Sequence, residues 1–412
     1  MKVLWIVNTV LPAIAQEVRI KTGVSGGWLL DLADQVSAHP SIEMAVATVY
    51  SGHEFIDGSV PGMHFFLLPG GSRRMIFYAK QNERYWEEVE RRFPADIVHL
   101  HGTEYTHGLA FLRRFPRKRA LLTIQGIITR IASAYLGGMT LREAISCRTP
   151  AEYLHLNGIL ENLLLHRRNT RYEAEIIRSV RYVTGRTLWD KAVLQEINPS
   201  IHYYRCNYNL RGPFYQARKW DVRCVQRHSV FTGQALTPLK GLHMLLRALA
   251  IVVRHHPDCM LYVPGYQGHG GYARYLQGII RRLGLGNHVQ YIGSQDASGM
   301  ADWMLRSHVV VVPSAIEGAS ATLCEAMYLG VPCIASFRGG MTELLDDKVS
   351  GFYYDFPEYG VLAQRIVDVF ADDKMASSFS RAAVRDAERR HDRTQNPAQM
   401  IELYRQIMRD CP

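Results

Sequence analysis

Residues 309–351 read VVVVPSAIEGASATLCEAMYLGVPCIASFRGGMTELLDDKVSG and contain a full alternation of strand, helix and strand. The β-branched run Val309–Val312 predicts a strand that is buried on both faces of a parallel sheet. A loop of small residues follows, and Ala321–Leu329 then has helical spacing, ended by a glycine and a proline. Val331–Ser336 predicts the next buried strand. This order of elements is typical of a doubly wound α/β domain.

The loop between the first of these strands and the helix is the first candidate site. In open α/β sheets, ligands bind outside the carboxyl ends of the strands, where helix N-termini offer free amides. Glu317 and Ser320 lie in this loop. The remaining loop residues are small or apolar, which is an unusual composition for a loop that only faces solvent.

The rest of the chain repeats the same alternation twice over. Apolar runs that predict strands recur from Lys2–Val7 to Tyr182–Thr187, and a second series begins at Ser229. Asn207–Arg227 lacks periodicity and predicts a linker. We therefore expect two Rossmann-like domains, residues 1–207 and 213–392, that face each other across a cleft between their carboxyl-end edges.

Two acids in the same block carry a family resemblance. Glu317 and Glu325 have seven residues between them, and Pro-Ser, Glu-Ala-Met, Gly-Val-Pro and Gly-Gly groups surround them. The block resembles the E-x7-E signature of retaining glycosyltransferases of family 4, which adopt the GT-B fold. The resemblance implies that Glu317 lies near the transferred sugar and that Glu325 binds the ribose of a nucleotide. It also implies that the C-terminal helix, 393–412, packs back on the first domain.

A second element of that family holds the donor diphosphate with an arginine and a lysine. Lys240 stands at the lysine position of this chain, whereas Gln234 stands where the arginine is often found. The resemblance makes Glu317 and Lys240 catalytic residues of a donor site. The donor-binding residues that it implies are Gly233, Gln234, Gly265, Ile292, Gly318, Ala319, Ser320, Ala321, Thr322 and Glu325.

Simpler interpretations of the same residues stay open. Thr322 and Glu325 have the T-x-x-E spacing of a capping box, which would make Glu325 the cap of a helix N-terminus. Glu317 would then be a solvated loop acid. Lys240 would be a surface residue at the start of a helix.

The first domain offers candidate acceptor residues and, in Gln125, a third candidate catalytic residue. Gly26 and Gly27 precede a helix whose N-terminus can approach a phosphate, although a simple turn has the same pattern. His101 ends one strand, on the same side as His99, with no third residue at zinc-ligand spacing. Gln125 stands at the histidine of the family's T-x-H-G pattern; an amide can hydrogen-bond a hydroxyl but cannot act as a base.

Composition limits the function classes. The 412 residues are 47% hydrophobic and 21% charged, with a net charge of +10 that allows an anionic partner. Seven dispersed cysteines without C-x-x-C indicate a reducing compartment. No D-x-D metal motif or nucleic-acid-binding motif occurs, and the G-x-S-x-G at 23–27 lies too far from its strand for a hydrolase. The basic stretches 111–119 and 165–171 indicate either a solvated surface or contact with anionic lipid headgroups.

The resemblance, together with these observations, implies a retaining hexosyltransferase that needs no metal or other cofactor. The expected donor is a nucleotide sugar, and the expected acceptor is a saccharide or lipid-linked saccharide in cell-surface polysaccharide synthesis. We expect a cytoplasmic protein, peripheral on the inner face of the membrane. The alternatives are a catalytically silent relative that binds a nucleotide sugar, and a GT-B epimerase or phosphorylase.

Overall fold

The computed structural model describes residues 1–20, 27–71, 76–233, 236–265 and 268–410. The chain divides into two compact units. The first comprises residues 1–129, 168–211 and 391–412, and the second comprises residues 130–167 and 212–390. Each unit contains a mostly or wholly parallel β-sheet covered by helices, so the predicted class of two Rossmann-like α/β domains is confirmed.

The helices and strands alternate through both units. In chain order, the strands are β1 (Lys2–Ile6), β2 (Glu43–Tyr50), β3 (Ile56–Val60), β4 (Met63–Pro69), β5 (Ile97–His101), β6 (Ala120–Thr123), β7 (Tyr182–Gly185), β8 (His202–Arg205), β9 (Ser229–Thr232), β10 (Met260–Val263), β11 (Val289–Tyr291), β12 (Val309–Val312), β13 (Cys333–Ser336) and β14 (Phe352–Tyr354). The described α-helices are α1 (Pro12–Glu17), α2 (Gly27–Ser37), α3 (Gln81–Arg92), α4 (His107–Arg114), α5 (Ile128–Ala134), α6 (Leu141–Ser146), α7 (Pro150–His155), α8 (Ile159–Ser179), α9 (Leu188–Ile197), α10 (Gly212–Gln216), α11 (Leu242–His255), α12 (Gly271–Arg282), α13 (Ala297–Arg306), α14 (Ala321–Leu329), α15 (Tyr359–Ala371), α16 (Asp373–Arg390) and α17 (Gln395–Asp410).

The sheet of the first unit has the order β3-β4-β2-β1-β5-β6-β7-β8. All neighbouring strands are parallel except β3, which is antiparallel to β4. Side chains from α2 and α17 bury one face of this sheet, and side chains from α3 and α4 bury the other. Burial on both faces explains why these strands are continuous apolar runs in the sequence.

A buried chain of polar side chains crosses four strands of the first sheet. The indole of Trp5 donates to the hydroxyl of Tyr404 over 2.9 Å, and this hydroxyl lies 2.6 Å from Nδ1 of His99. Nε2 of His99 lies 2.6 Å from Oγ1 of Thr123, which lies 2.6 Å from Oγ1 of Thr184. Burial lowers the pKa of His99 to about 3, so its ring is neutral. A neutral imidazole donates a hydrogen bond from one nitrogen and accepts one at the other, which connects Tyr404 to Thr123. Tyr404 belongs to α17, and this contact fixes the C-terminal helix to the first sheet.

The sheet of the second unit is parallel throughout, in the order β11-β10-β9-β12-β13-β14. Renumbered within the unit, this is the strand order 3-2-1-4-5-6 of a dinucleotide-binding domain. The order reverses between β9 and β12. Loops that leave these two strands at their carboxyl ends therefore diverge and leave a crevice.

Residues 130–167 pack on the second unit, although the sequence placed all of residues 1–207 in the first domain. Nε2 of His243 donates to the carbonyl of Gly137 over 2.7 Å. The carboxylate of Glu152 accepts from the amide of Gly271 over 2.8 Å. These contacts join residues more than a hundred positions apart, so no local pattern in the sequence could reveal them.

The predicted linker is also shorter than expected. The chain enters the second unit at residue 212, and the following residues pack against it. The buried indole of Trp220 donates to the carbonyl of Ser307 over 2.9 Å, and its amide donates to the carbonyl of Leu329 over 2.8 Å. Much of Asn207–Arg227 is therefore an ordered part of the second domain, held by single long-range contacts.

We predict that Tyr404→Phe destabilises the protein by about 1–3 kcal/mol, because it leaves the Trp5 indole N–H and Nδ1 of His99 buried without this partner. Urea unfolding measures the change. Tyr204→Phe is the matched control, since the Tyr204 hydroxyl has no hydrogen bond among the described residues, and it should cost less than about 0.5 kcal/mol. Equal losses in the two variants would contradict the structural role of the Tyr404 hydroxyl.

Candidate functional site

Two loops of the second unit meet at the point where its strand order reverses. One runs from the end of β9 to α11, and the other runs from the end of β12 to α14. Since β9 and β12 are parallel neighbours, both loops leave from the same edge of the sheet. They carry Lys240 and Glu317, the two residues on which the sequence analysis depended most.

The backbones of these loops interlock. The amide of Ala315 donates to the carbonyl of Leu239 over 2.8 Å. Gly241 has a left-handed backbone, with φ of 72°, and a Cβ at this position would lie 1.8 Å from the carbonyl oxygen of Pro313. Glycine is therefore the residue that fits at position 241, and Lys240 is held beside the second loop.

Lys240 and Glu317 form an ion pair across the crevice. The hydroxyl of Ser314 donates to the same carboxylate oxygen of Glu317 over 2.9 Å. The Glu317 side chain is 17% exposed and the Lys240 side chain is 40% exposed, so the pair is reachable from solvent. A cavity of about 120 Å³ adjoins it, lined by Thr232, Gly233, Lys240, Val312, Pro313, Ser314, Glu317, Ser320, Ala321 and Thr322.

The N-terminus of α14 opens on the same cavity. The hydroxyl of Ser320 caps this helix by accepting from the amide of Leu323 over 3.5 Å. Thr322 therefore lies inside the first turn, and the T-x-x-E capping box considered from the sequence does not form. The first amides of a helix have no partner within it, so those of Ala321 and Thr322 suit an anionic ligand.

The other implied donor residues are not on the lining of this cavity as the described residues define it. Glu325 is buried within α14. Gly318 and Ala319 lie half-buried in the loop before this helix. Gly265 and Ile292 follow β10 and β11, where the amide of Ile292 donates to Val263 over 3.0 Å. Gln234 lies outside the described residues.

A second cavity of about 230 Å³ lies beside β10 and β11. Its lining is apolar and aromatic, and consists of Leu236, Leu242, Val263, Pro264, Gly268, His269, Tyr272, Ala273, Leu276 and Tyr291. Gly265 and Ile292 flank these lining residues in the sequence. A flat apolar group of the size of a nucleobase suits such a surface.

In the first unit, Gln125 lies just beyond the end of β6. It is half-buried, and its Nε2 is buried without a hydrogen-bond partner among the described residues. Gly27 begins α2 and lies against the side chain of Arg211, whereas Gly26 lies outside the described residues. An unpartnered buried amide is costly, so Gln125 is a candidate for ligand contact.

His101 lies inside the core of the first unit and not at the open edge that its candidate role as an acceptor residue requires. Its ring packs 4.3 Å from that of Trp5 and 3.9 Å from that of His99, measured between ring centroids. Burial holds the pKa of His101 well below its usual value. A neutral, enclosed imidazole does not supply the positive charge of a phosphate site.

Glu104 is a residue of this edge that the sequence analysis missed. Its Oε1 accepts from the amide of Gly126 over 2.7 Å, while its Oε2 is buried without a partner among the described residues. Burial raises the pKa of Glu104 to about 7. The signal was present in the sequence, since Glu104 follows the buried strand β5 just as Glu317 follows β12.

A second buried acid nearby has an architectural role. Glu173, on α8, accepts from the Thr103 hydroxyl over 2.8 Å and from the amides of Ile128 and Thr129 over 2.7 Å each. It therefore ties together the loops that follow β5 and β6. These two loops carry Glu104 and Gln125, and Glu173 fixes their separation.

The segment that contains the Lys240–Glu317 pair is the part of the chain that matches a known protein family. Residues 226–386 match the family Glycosyl transferases group 1. A segment of 165 residues is 30% identical to D-inositol 3-phosphate glycosyltransferase of Streptomyces avermitilis, and covers 39% of this chain and 35% of that protein. The aligned part thus spans well under half the length of this curated relative.

Solved structures resemble the chain over nearly its whole length. Sucrose-phosphate synthase from Thermosynechococcus elongatus has a TM-score of 0.77 at 16% identity, with 100% of both chains covered. Anabaena HepE in complex with UDP-glucose has a TM-score of 0.68 at 18% identity, with 98% of this chain and 100% of that chain covered. At these identities, the likeness shows the shared GT-B glycosyltransferase fold.

We predict that Glu104→Gln stabilises the protein at pH 8 and changes little at pH 5. A carboxyl whose pKa rises from 4.5 to about 7 on folding favours the folded state at low pH, and this contribution is lost as the pH rises through 7. The negative charge of the neighbouring Glu173 also raises the pKa of Glu104. The expected gain at pH 8 is about 1–3 kcal/mol, measured by urea unfolding.

Glu17→Gln is the matched control, because Glu17 is exposed at the end of α1. It should leave the unfolding free energy unchanged at both pH values. A Glu104→Gln variant that is less stable than the parent at pH 8 would mean that the native site holds the charged carboxylate at no cost.

Proposed function

We propose that this protein is a glycosyltransferase that moves a sugar from a nucleotide-sugar donor to an acceptor, with retention of configuration and without a metal ion. The observation that carries the proposal is the Lys240–Glu317 ion pair at the switch point of the second sheet. The match of residues 226–386 to group 1 glycosyl transferases supports the same class of reaction.

The donor diphosphate would bind to Lys240 and to the N-terminus of α14. When the bond between the sugar carbon and the diphosphate breaks, negative charge develops on the leaving phosphate. A fixed ammonium and helix amides stabilise this charge, so the step does not depend on a metal. The acceptor oxygen forms the new bond on the same face of the sugar, and its proton passes to the leaving phosphate.

Glu317 would bind the sugar once the donor is in place. The carboxylate now pairs with Lys240, and a diphosphate that takes over Lys240 releases Glu317 to accept hydrogen bonds from sugar hydroxyls. Both side chains are partly exposed, so the net free energy of their pair is small, about 0–1 kcal/mol. A dianionic diphosphate can therefore replace Glu317 as the partner of Lys240 at little cost in free energy.

The nucleobase would occupy the aromatic cavity beside β10 and β11. Tyr272 and Tyr291 line it and offer ring surface for stacking. The structure of HepE contains UDP-glucose, and UDP-glucose is therefore the first donor to test on this chain. A hexosyl group is the proposed group transferred.

The acceptor, a saccharide or lipid-linked saccharide, would bind at the strand ends of the first domain. The unpartnered Nε2 of Gln125 can donate to an acceptor oxygen, and the unpartnered Oε2 of Glu104 can accept from a hydroxyl. Gly27 lies at the N-terminus of α2, where a phosphate of the acceptor would fit. The cleft expected between the two domains stays a prediction.

Ion pairs partly neutralise one of the two basic stretches, which weakens its case for contact with anionic lipid headgroups. In the basic stretch 111–119, Arg113 pairs with Glu175, and Arg114 and Lys118 also pair with glutamates. None of the described helices combines the length and the apolarity that crossing a bilayer requires. Our proposal of a cytoplasmic enzyme at the inner membrane face, acting in polysaccharide synthesis, rests on the net charge of +10 and the proposed acceptor.

We predict that the purified chain slowly hydrolyses one member of a panel of UDP-, GDP- and ADP-sugars. Glu317→Gln and Lys240→Ala should each lower kcat/KM for this donor at least about 100-fold, because Lys240 stabilises the charge on the leaving phosphate and Glu317 binds the sugar as the bond breaks. Lys240→Ala should also weaken binding of the free nucleoside diphosphate, measured by calorimetry, whereas Glu317→Gln should not. The anomeric signals of the first product in proton NMR report retention.

Glu358→Gln and Lys374→Ala are the matched controls, as exposed residues of the same unit that lie outside both cavities. Both controls should keep the parent rate. Nucleotide binding without turnover of any donor, with membrane lipid extracts added as acceptors, would refute the transferase and favour a silent binding protein.

A further inference from the structure

Three potential metal ligands converge at the edge of the second sheet opposite the strand-end loops. His228 immediately precedes β9, and His256 and Asp258 lie in the connection from α11 to β10. Among the described residues, these three side chains place potential metal-ligand atoms close enough together to hold one ion. They lie at the amino ends of β9 and β10, so the proposed transfer reaction makes no use of them.

The geometry of this His228–His256–Asp258 cluster suits a small divalent cation. One ligand atom from each residue lies within 4.8 Å of the other two. Nδ1 of His228 lies 2.8 and 2.9 Å from the two carboxylate oxygens of Asp258. The rings of His228 and His256 lie 4.2 Å apart between centroids. Small side-chain rotations would bring these atoms to the separation of about 3.3 Å found between ligands around tetrahedral zinc.

The surroundings hold both rings in place and leave one side open. Phe370 packs against the ring of His228 at 5.1 Å and against that of His256 at 5.4 Å. Asp258 is 64% exposed, so an ion can enter from solvent and keep a water as its fourth ligand. Three protein ligands and one water form a common zinc coordination set.

His256 distinguishes this cluster from a simple hydrogen-bonded pair. The contact between His228 and Asp258 by itself gives no role to the second imidazole, whereas a metal ion would use it as a third protein ligand.

We propose that His228, His256 and Asp258 bind one Zn²⁺ ion that joins the start of β9 to the α11–β10 connection. In the bound state the ion takes the place of the proton shared by His228 and Asp258. It stabilises the second domain and takes no part in sugar transfer. Two imidazoles and a carboxylate suit Zn²⁺ better than Mg²⁺ or Ca²⁺, which prefer sets made only of oxygen ligands.

The test uses the full chain, treated with EDTA and then freed of it, in a Cys224→Ser background because Cys224 is an exposed thiol. ZnCl₂ is titrated in competition with a chromophoric chelator, and thermal unfolding is followed in parallel. We expect one ion per chain and a rise in Tm of about 3 °C or more at a hundredfold excess over Kd. MgCl₂ should produce neither effect.

His256→Ala and Asp258→Asn should each weaken zinc binding at least about tenfold and remove the rise in Tm. His255→Ala is the matched control, since His255 is the exposed neighbouring histidine, and it should bind zinc like the parent. His256→Cys keeps a zinc ligand, and it should retain binding even if His256→Ala folds poorly. Co²⁺ in place of zinc should give the visible absorption of a tetrahedral site in the parent and in His256→Cys.

Three results would overturn the proposal. The first is the absence of stoichiometric zinc binding to the parent, which would leave His228 and Asp258 as a hydrogen-bonded pair only. The second is binding that survives in the double variant His256→Ala, Asp258→Asn, which would place the ion elsewhere. The third is an equal loss of binding in His255→Ala. None of these results depends on whether the protein transfers sugars.

Discussion

The contact on which the candidate site depends is the ion pair between Lys240 and Glu317. A pair this exposed contributes little to stability, so it does not hold the two loops together. The loops are held by their backbones, through the hydrogen bond from Ala315 to Leu239 and the close approach that Gly241 allows to Pro313. The fold therefore fixes the position of both charges, while the weak pairing between them leaves each free to exchange partners. Fixed charges with a weak mutual attraction suit a site that must bind an anion and then release it.

In the first domain, too, one buried acid has a structural role and another is a candidate for ligand contact. Glu173 is buried, and its carboxylate accepts hydrogen bonds from four donor groups of Thr103, Ile128 and Thr129. Glu104 has one oxygen satisfied by the amide of Gly126 and one left without a partner among the described residues. A buried carboxylate oxygen without a partner lowers the stability of the folded protein. Selection for stability alone would favour another residue at this position. Glu104 and Gln125, whose Nε2 also has no partner among the described residues, are therefore the candidates for ligand contact in the first domain.

Local patterns in the sequence were sufficient for the central block. The strand at Val309–Val312 and the helix at Ala321–Leu329 have the predicted bounds, because a β-branched run and a glycine–proline stop act within a few residues. The edge strand Ile56–Val60 was missed because it is short and half-exposed, and lacks an apolar run. The helices α6 and α7 are short and each begins with a capping box, so they form locally, yet nothing local shows which domain they join.

Strand β5 shows that the sequence predicts the face of a residue but not whether that face is covered. Alternation along β5 correctly put His99 and His101 on one side, but the groups that cover this side come from distant parts of the chain. Trp5 contacts both rings, and the hydroxyl of Tyr404 reaches His99 from about three hundred residues away. A strand pattern predicts which face a residue occupies, and only the tertiary structure shows whether that face is open.

The Tyr404 hydroxyl connects the C-terminal helix α17 to the strands of the first domain. The polar chain from Tyr404 through His99 and Thr123 to Thr184 joins β5, β6 and β7 just below their carboxyl ends. The loop that carries Glu104 begins three residues beyond His99, and the loop that carries Gln125 begins one residue beyond Thr123. Rigid strand ends hold such loops to a fixed spacing, which a site built from two loops requires. A helix from the far end of the chain thus anchors the strands from which these loops leave, while Glu173 joins the loops themselves.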